Sequence, residues 1–104
     1  MHHLIDQRRG EIAELCRRYG VRRLDVFGSA ARGVDFFDPA ISDADFLVEF
    51  EPGISLPALD QFFGLSDALE RVLGRPVDMV EAGAIKNPFV LADINRAREI
   101  VYAA

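Results

Sequence analysis

The chain of 104 residues has one cysteine and two histidines, which are adjacent at His2 and His3. A lone Cys16 forms no internal disulfide. It falls at an apolar helix position, as expected of a buried thiol in a reducing compartment, and the cytoplasm is the expected location. Without a histidine beyond His3, a histidine-dependent nucleophilic triad and a Cys/His zinc site are both unsupported. Cations are short too: 12 Lys and Arg face 17 Asp and Glu, a formal net charge of −5. A nucleic-acid binder needs a surplus of positive charge against the phosphate backbone, so no nucleic-acid partner is expected. No apolar run approaches the ~20 residues that cross a bilayer, and MHHLIDQRRGE lacks a signal-peptide core, so no membrane role is expected. Two phosphate-binding signatures are missing as well. There is no G-x-x-x-x-G-K-[ST], and no G-x-G-x-x-G follows a strand.

The sequence does offer regular hydrophobic periodicity. Leu4, Ile5, Ile12, Leu15, Cys16 and Tyr19 recur at helical spacing up to Gly20. Residues 22–27 then alternate as a strand, with Leu24 and Val26 on one face and Asp25 and Phe27 on the other; this suits a sheet covered mainly on one side. A second strand spans Ala44 to Phe50. It places Asp43, Asp45, Leu47 and Glu49 on one face and Ala44, Phe46, Val48 and Phe50 on the other. Ser55 is the expected cap of a helix with Leu59, Phe62, Phe63, Leu69, Val72 and Leu73 as its apolar stripe, bent or split near Gly64 and Ser66 and closed by Gly74. A third strand follows at Val77 to Val80, with Asp78 opposite to Val77 and Met79. Asn87-Pro88 opens the last helix. Its apolar face runs through Phe89, Val90, Ile94, Ala97 and Val101, unless residues 100–102 leave it as an edge strand.

This order predicts one α/β domain over residues 1–104, a small mixed sheet packed by helices. An exposed sheet edge in such a domain offers a route to self-association or to a partner.

The chemistry concentrates between Val26 and Phe50. Gly28 and Ser29 interrupt a strand ahead of a short helical stretch, a geometry that turns backbone N–H groups toward an anion. Arg32 adds a charge-assisted contact. Asp43 and Asp45, two apart on a strand, bring their Cβ atoms to roughly 6.5–7 Å at ~3.3 Å rise per residue. Two carboxylates that close repel, and a divalent cation between them removes the penalty. Magnesium fits, since it is commonly held by a few carboxylates, waters and substrate phosphates. If the third strand neighbours the second, Asp78 joins them. Three carboxylates suffice for two metal ions about 3.5–4 Å apart, the arrangement used for in-line nucleotidyl transfer. Asp78 would then accept or orient the proton of an incoming hydroxyl. The ordinary readings are a common Gly-Ser turn, a solvated pair of aspartates and a helix-end arginine. Against them stands the placement of every carboxylate in or beside a strand, where aspartate is disfavoured.

The segments GSAARG at 28–33, SDADFLVEF at 42–50 and RPVDMV at 75–80 resemble the minimal nucleotidyltransferases of the DNA polymerase β superfamily, and in particular the MNT-type antitoxins paired with HEPN-domain toxins. The likeness spans nearly the whole chain. It implies the polymerase β-like nucleotidyltransferase fold, with Gly28 and Ser29 at the nucleotide phosphates, Asp43 and Asp45 as metal ligands and Asp78 as the third carboxylate. It also implies transfer of AMP from ATP, with Mg2+, to a tyrosine of a HEPN ribonuclease. The segment from Val34 to Ile41 is longer than the family's usual spacing. Two other readings stay open: a toxin-binding antitoxin without catalysis, and a nucleotidyltransferase acting on a small molecule such as an antibiotic.

Overall fold

The computed structural model describes residues 3–27 and 44–104. Two short helices come first, α1 (His3–Gln7) and α2 (Arg9–Arg18). The single helix expected from the periodicity is interrupted at Arg8, whose N–H donates to the carbonyls of both Leu4 and Ile5. Strand β1 (Val21–Phe27) follows Gly20, which turns the chain at φ 70°. The next described strand is β2 (Ala44–Phe50), within the residues its alternation predicted. Helix α3 (Ala58–Leu73), strand β3 (Val77–Glu81), a single 3-10 turn (Ala82–Ala84), helix α4 (Pro88–Ala97) and strand β4 (Glu99–Ala103) complete the order.

The four strands lie in the order β3-β2-β1-β4. β1 pairs antiparallel with both β2 and β4, while β2 and β3 run parallel, so the sheet is mixed as expected. Tyr102 and its neighbours leave the helix and form an edge strand. Arg9 of α2 partly covers that edge by donating to the Ile100 carbonyl at 2.8 Å.

One face of the sheet carries the core. Leu24, Val26, Phe46, Val48, Met79 and Val101 pack with Ile5, Ile12, Leu15 and Cys16 from α1 and α2 and with Leu65, Leu69 and Leu73 from α3. A fully buried side chain such as Phe46 contributes about 1.5–3 kcal/mol through removal of apolar surface from water. Cys16 sits in this core as a free thiol, and burial pushes its pKa up to about 12.

Three expectations need correction. The buried stripe of α3 is Gln61, Leu65, Ala68, Leu69 and Leu73, whereas Leu59 and Phe63 are 70% and 57% exposed. Residues 59 and 63 lie roughly 200° around the helix from 61 and 65 at 100° per residue, so the two sets cannot share a face. Nor is α3 split at Gly64, since it runs unbroken from Ala58 to Leu73. A Cβ there would meet the Tyr19 ring at 2.6 Å, so glycine allows close packing of the helix. Ser55 does not cap α3; Pro57 occupies the N-cap position. The second face of the sheet is covered in part. Asp25, Leu47 and Ile94 are buried yet lie outside the main core cluster. The cap of α4 follows the prediction: the Asn87 side chain accepts from the N–H groups of Phe89 and Val90.

Candidate active site

Pairing between β2 and β3 begins with Ala44 beside Val77, which puts Asp45 directly beside Asp78. Adjacent strands are about 4.8 Å apart, and in-register neighbours of a parallel pair point to the same side. The core side chains Phe46 and Met79, one residue further along each strand, point to the other side. Asp45 is half-buried and Asp78 is exposed, so the pair stands at the solvent margin of the sheet. On the other flank of Asp45 lies Phe27, the last residue of β1. The segment beginning at Gly28 therefore departs from the strand end that neighbours this pair.

The local sequence accounts for the placement. Alternation along β2 drives Ala44, Phe46 and Val48 into the core and leaves Asp45 on the opposite face. On β3, Val77 and Met79 do the same for Asp78. Two carboxylates side by side are a hard-oxygen donor set with the repulsion that a divalent cation relieves, and this set suits magnesium. Among the described residues, no group of three metal-ligating side chains forms. The expected third ligand, Asp43, lies outside the described residues. So do Gly28, Ser29 and Arg32, and the long segment from Val34 to Ile41.

Sequence reasoning missed a second carboxylate site on this face. Asp25 is entirely buried in the middle of the sheet, paired with Leu47 across the ladder. It accepts from Arg23 Nε at 2.9 Å and from Arg98 Nε at 2.5 Å, and Arg98 also donates to Asn95 Oδ1 at 2.9 Å. The bond to Asp25 raises the pKa of the Arg23 guanidinium further above its ordinary value. Arg98 follows α4, so this ion pair ties the end of that helix to β1. The available signal was an aspartate inside an apolar strand two residues after an arginine; nothing local pointed to a partner 73 positions away.

A separate cleft of about 410 Å³ opens near the other end of β2, between Arg22, Glu49, Glu51, Gln61 and Glu81. Glu49 is four residues from Asp45, or roughly 13 Å along the strand. Its acidic groups are not brought into register with one another as Asp45 and Asp78 are.

Comparison with known proteins identifies the family. The family model described as a nucleotidyltransferase domain matches residues 11–101. A protein adenylyltransferase MntA from Thermococcus cleftensis is 40% identical over 89 residues, covering 86% of this chain and 81% of the relative. A solved structure described as a candidate minimal nucleotidyltransferase superposes with a TM-score of 0.75 at 36% identity, covering 95% of each chain. A complex of a tri-AMPylated HEPN toxin with its MNT antitoxin, from Shewanella oneidensis, shares the fold with a TM-score of 0.63. The identity there is 16%, over 96% of this chain and 73% of the other. With the family model, the relatives and the fold in agreement, the chain belongs to the nucleotidyltransferase domain family and is a minimal nucleotidyltransferase.

Proposed function

We propose that this enzyme transfers AMP from ATP to a hydroxyl of a partner protein, a tyrosine of a HEPN-type toxin, and thereby acts as an antitoxin. The observation that carries the reading is the in-register pairing of Asp45 with Asp78 beside the end of β1. Asp43, two residues before Asp45 in the sequence, would supply a third carboxylate. The three would hold Mg2+, which when bound neutralises charge on the triphosphate and the leaving pyrophosphate. Gly28 and Ser29 would receive the outer phosphates at the end of β1, with Arg32 adding a cation. The acceptor oxygen attacks the α-phosphorus, the bond to the bridging oxygen breaks and pyrophosphate leaves. The proton of the acceptor hydroxyl passes to Asp78.

A protein acceptor agrees with the surface. Leu59 and Phe63 on α3 and Phe89 and Val90 on α4 are large apolar side chains left 46–81% exposed, surface that a partner protein would cover. The relative from Thermococcus is named as a protein adenylyltransferase, and the Shewanella complex holds an AMPylated toxin. The test is transfer of label from [α-32P]ATP to a purified HEPN-domain ribonuclease. Asp43→Asn/Asp45→Asn is expected to abolish labelling while the far-UV circular dichroism stays unchanged. Undiminished labelling would refute the mechanism, and neutralisation of the toxin that survives the double change would assign the antitoxin effect to binding alone.

A further inference from the structure

Asp78 occupies an awkward position for a group that must be held still. It is the second residue of β3, a strand of five residues at the edge of the described sheet. Strand ends at a sheet edge fray unless something ties them down. One such tie comes from α3. The Glu70 carboxylate accepts from the Val77 N–H at 3.0 Å, the amide immediately before Asp78. The carbonyl of the same residue accepts from the Gly74 N–H at 2.8 Å, closing the helix through a left-handed glycine at φ 68°. Between these two bonds the chain has only Arg75 and Pro76, and the Pro76 carbonyl accepts from the Ala44 N–H at 3.1 Å. Glu70 thus closes both ends of the connection that delivers β3 to β2, and the last bond sets the register one residue before Asp45.

We propose that Glu70 is a positioning residue of the transfer reaction: its carboxylate pins the first amide of β3 and so holds Asp78 beside Asp45. This rests on the reading that Asp78 takes part in the chemistry. Glu70 does not touch substrate; it lies on the helix side of the strand and acts through the backbone. A misplacement of about 1 Å can cost on the order of 10²-fold in rate, so releasing that amide acts on the chemical step. ATP binding, which the phosphate turn and Asp45 would also support, depends on it less.

The test compares Glu70→Ala, Glu70→Gln and Asp78→Asn in two measurements: kcat and KM for ATP in label transfer to a purified HEPN-domain ribonuclease, and amide hydrogen exchange at residues 77 and 78. Glu70→Ala is expected to lower kcat about tenfold or more, to leave KM for ATP within about twofold and to speed exchange at both amides. Glu70→Gln keeps an acceptor oxygen and is expected to restore kcat and exchange protection. If Glu70→Ala fails to fold, Glu70→Gln together with Glu70→Leu carries the same comparison. Unchanged kcat and exchange in Glu70→Ala, or an equal loss in Glu70→Gln, overturns the proposal. So does a change confined to KM. Full activity in Asp78→Asn would instead remove the catalytic reading beneath it, whereas an inactive Asp78→Asn beside a normal Glu70→Ala defeats the role of Glu70 alone.

Discussion

The two faces of the sheet treat side chains in opposite ways. The face under α1, α2 and α3 is closed and apolar, built from Leu24, Val26, Phe46, Val48 and Met79. The other face carries three aspartates on three adjacent strands: Asp25 on β1, Asp45 on β2 and Asp78 on β3. The aspartates themselves divide further. Asp25 is sealed and bound by two guanidiniums, so its charge is used within the protein. Asp45 and Asp78 stand beside one another at the margin of the sheet, where Asp78 is exposed to solvent. Buried ion pairs contribute little net stability compared with apolar packing, whereas breaking one by removing a partner is costly. The comparison therefore assigns stability to the helix-covered face and a structural tie to Asp25, and sets the outer pair apart as the carboxylates of the proposed chemistry.

Substitutions can break that division in order of size. Phe46→Ala opens a cavity in the closed face and should lower unfolding free energy by about 3–5 kcal/mol in urea titration. Asp25→Ala leaves Arg23 and Arg98 without their shared carboxylate, and the loss should be about 1.5–3 kcal/mol because both arginines keep some access to water. Gly64→Ala forces the Tyr19 ring to shift and should cost about 1–3 kcal/mol, below Phe46→Ala. Asp78→Asn should leave the urea midpoint within the error of the wild type; a loss as large as that of Asp25→Ala would erase the distinction between the two kinds of aspartate. Cys16 gives a pH signature instead. Its thiol ionises near 9 when exposed and near 12 in the fold. The unfolded chain releases its proton first, so the Cys16 contribution to stability should be level below about pH 9 and fall as the pH rises from 9 toward 12. Cys16→Ala should flatten that part of the curve.

The residues that were legible in the sequence are those whose roles follow from local periodicity. Alternation of two along SDADFLVEF and RPVDMV puts the aspartates opposite the core side chains, and the structure agrees at Asp45 and Asp78. Asn87-Pro88 read correctly as a helix start because its cap is made within three residues. Failures came where the outcome depends on a distant partner or on competition between two helical stripes. Asp25 looked like a solvent-facing residue because Arg98 is remote in the chain. On α3, Leu59 and Phe63 are as apolar as Leu65 and Leu69, and composition alone does not choose which stripe meets the sheet. The role of Glu70 was hidden for a third reason: it bonds to backbone, which carries no side-chain signature.

The central claim is that Asp45 and Asp78 act together on a metal-bound nucleotide. Binding of Mn2+ in the presence of ATP, followed by loss of the free-ion electron paramagnetic resonance signal, tests it most directly. The wild type should capture the ion with ATP, and Asp45→Asn and Asp78→Asn should each weaken that capture severalfold while their melting temperatures hold. Wild-type capture in both variants would contradict the claim.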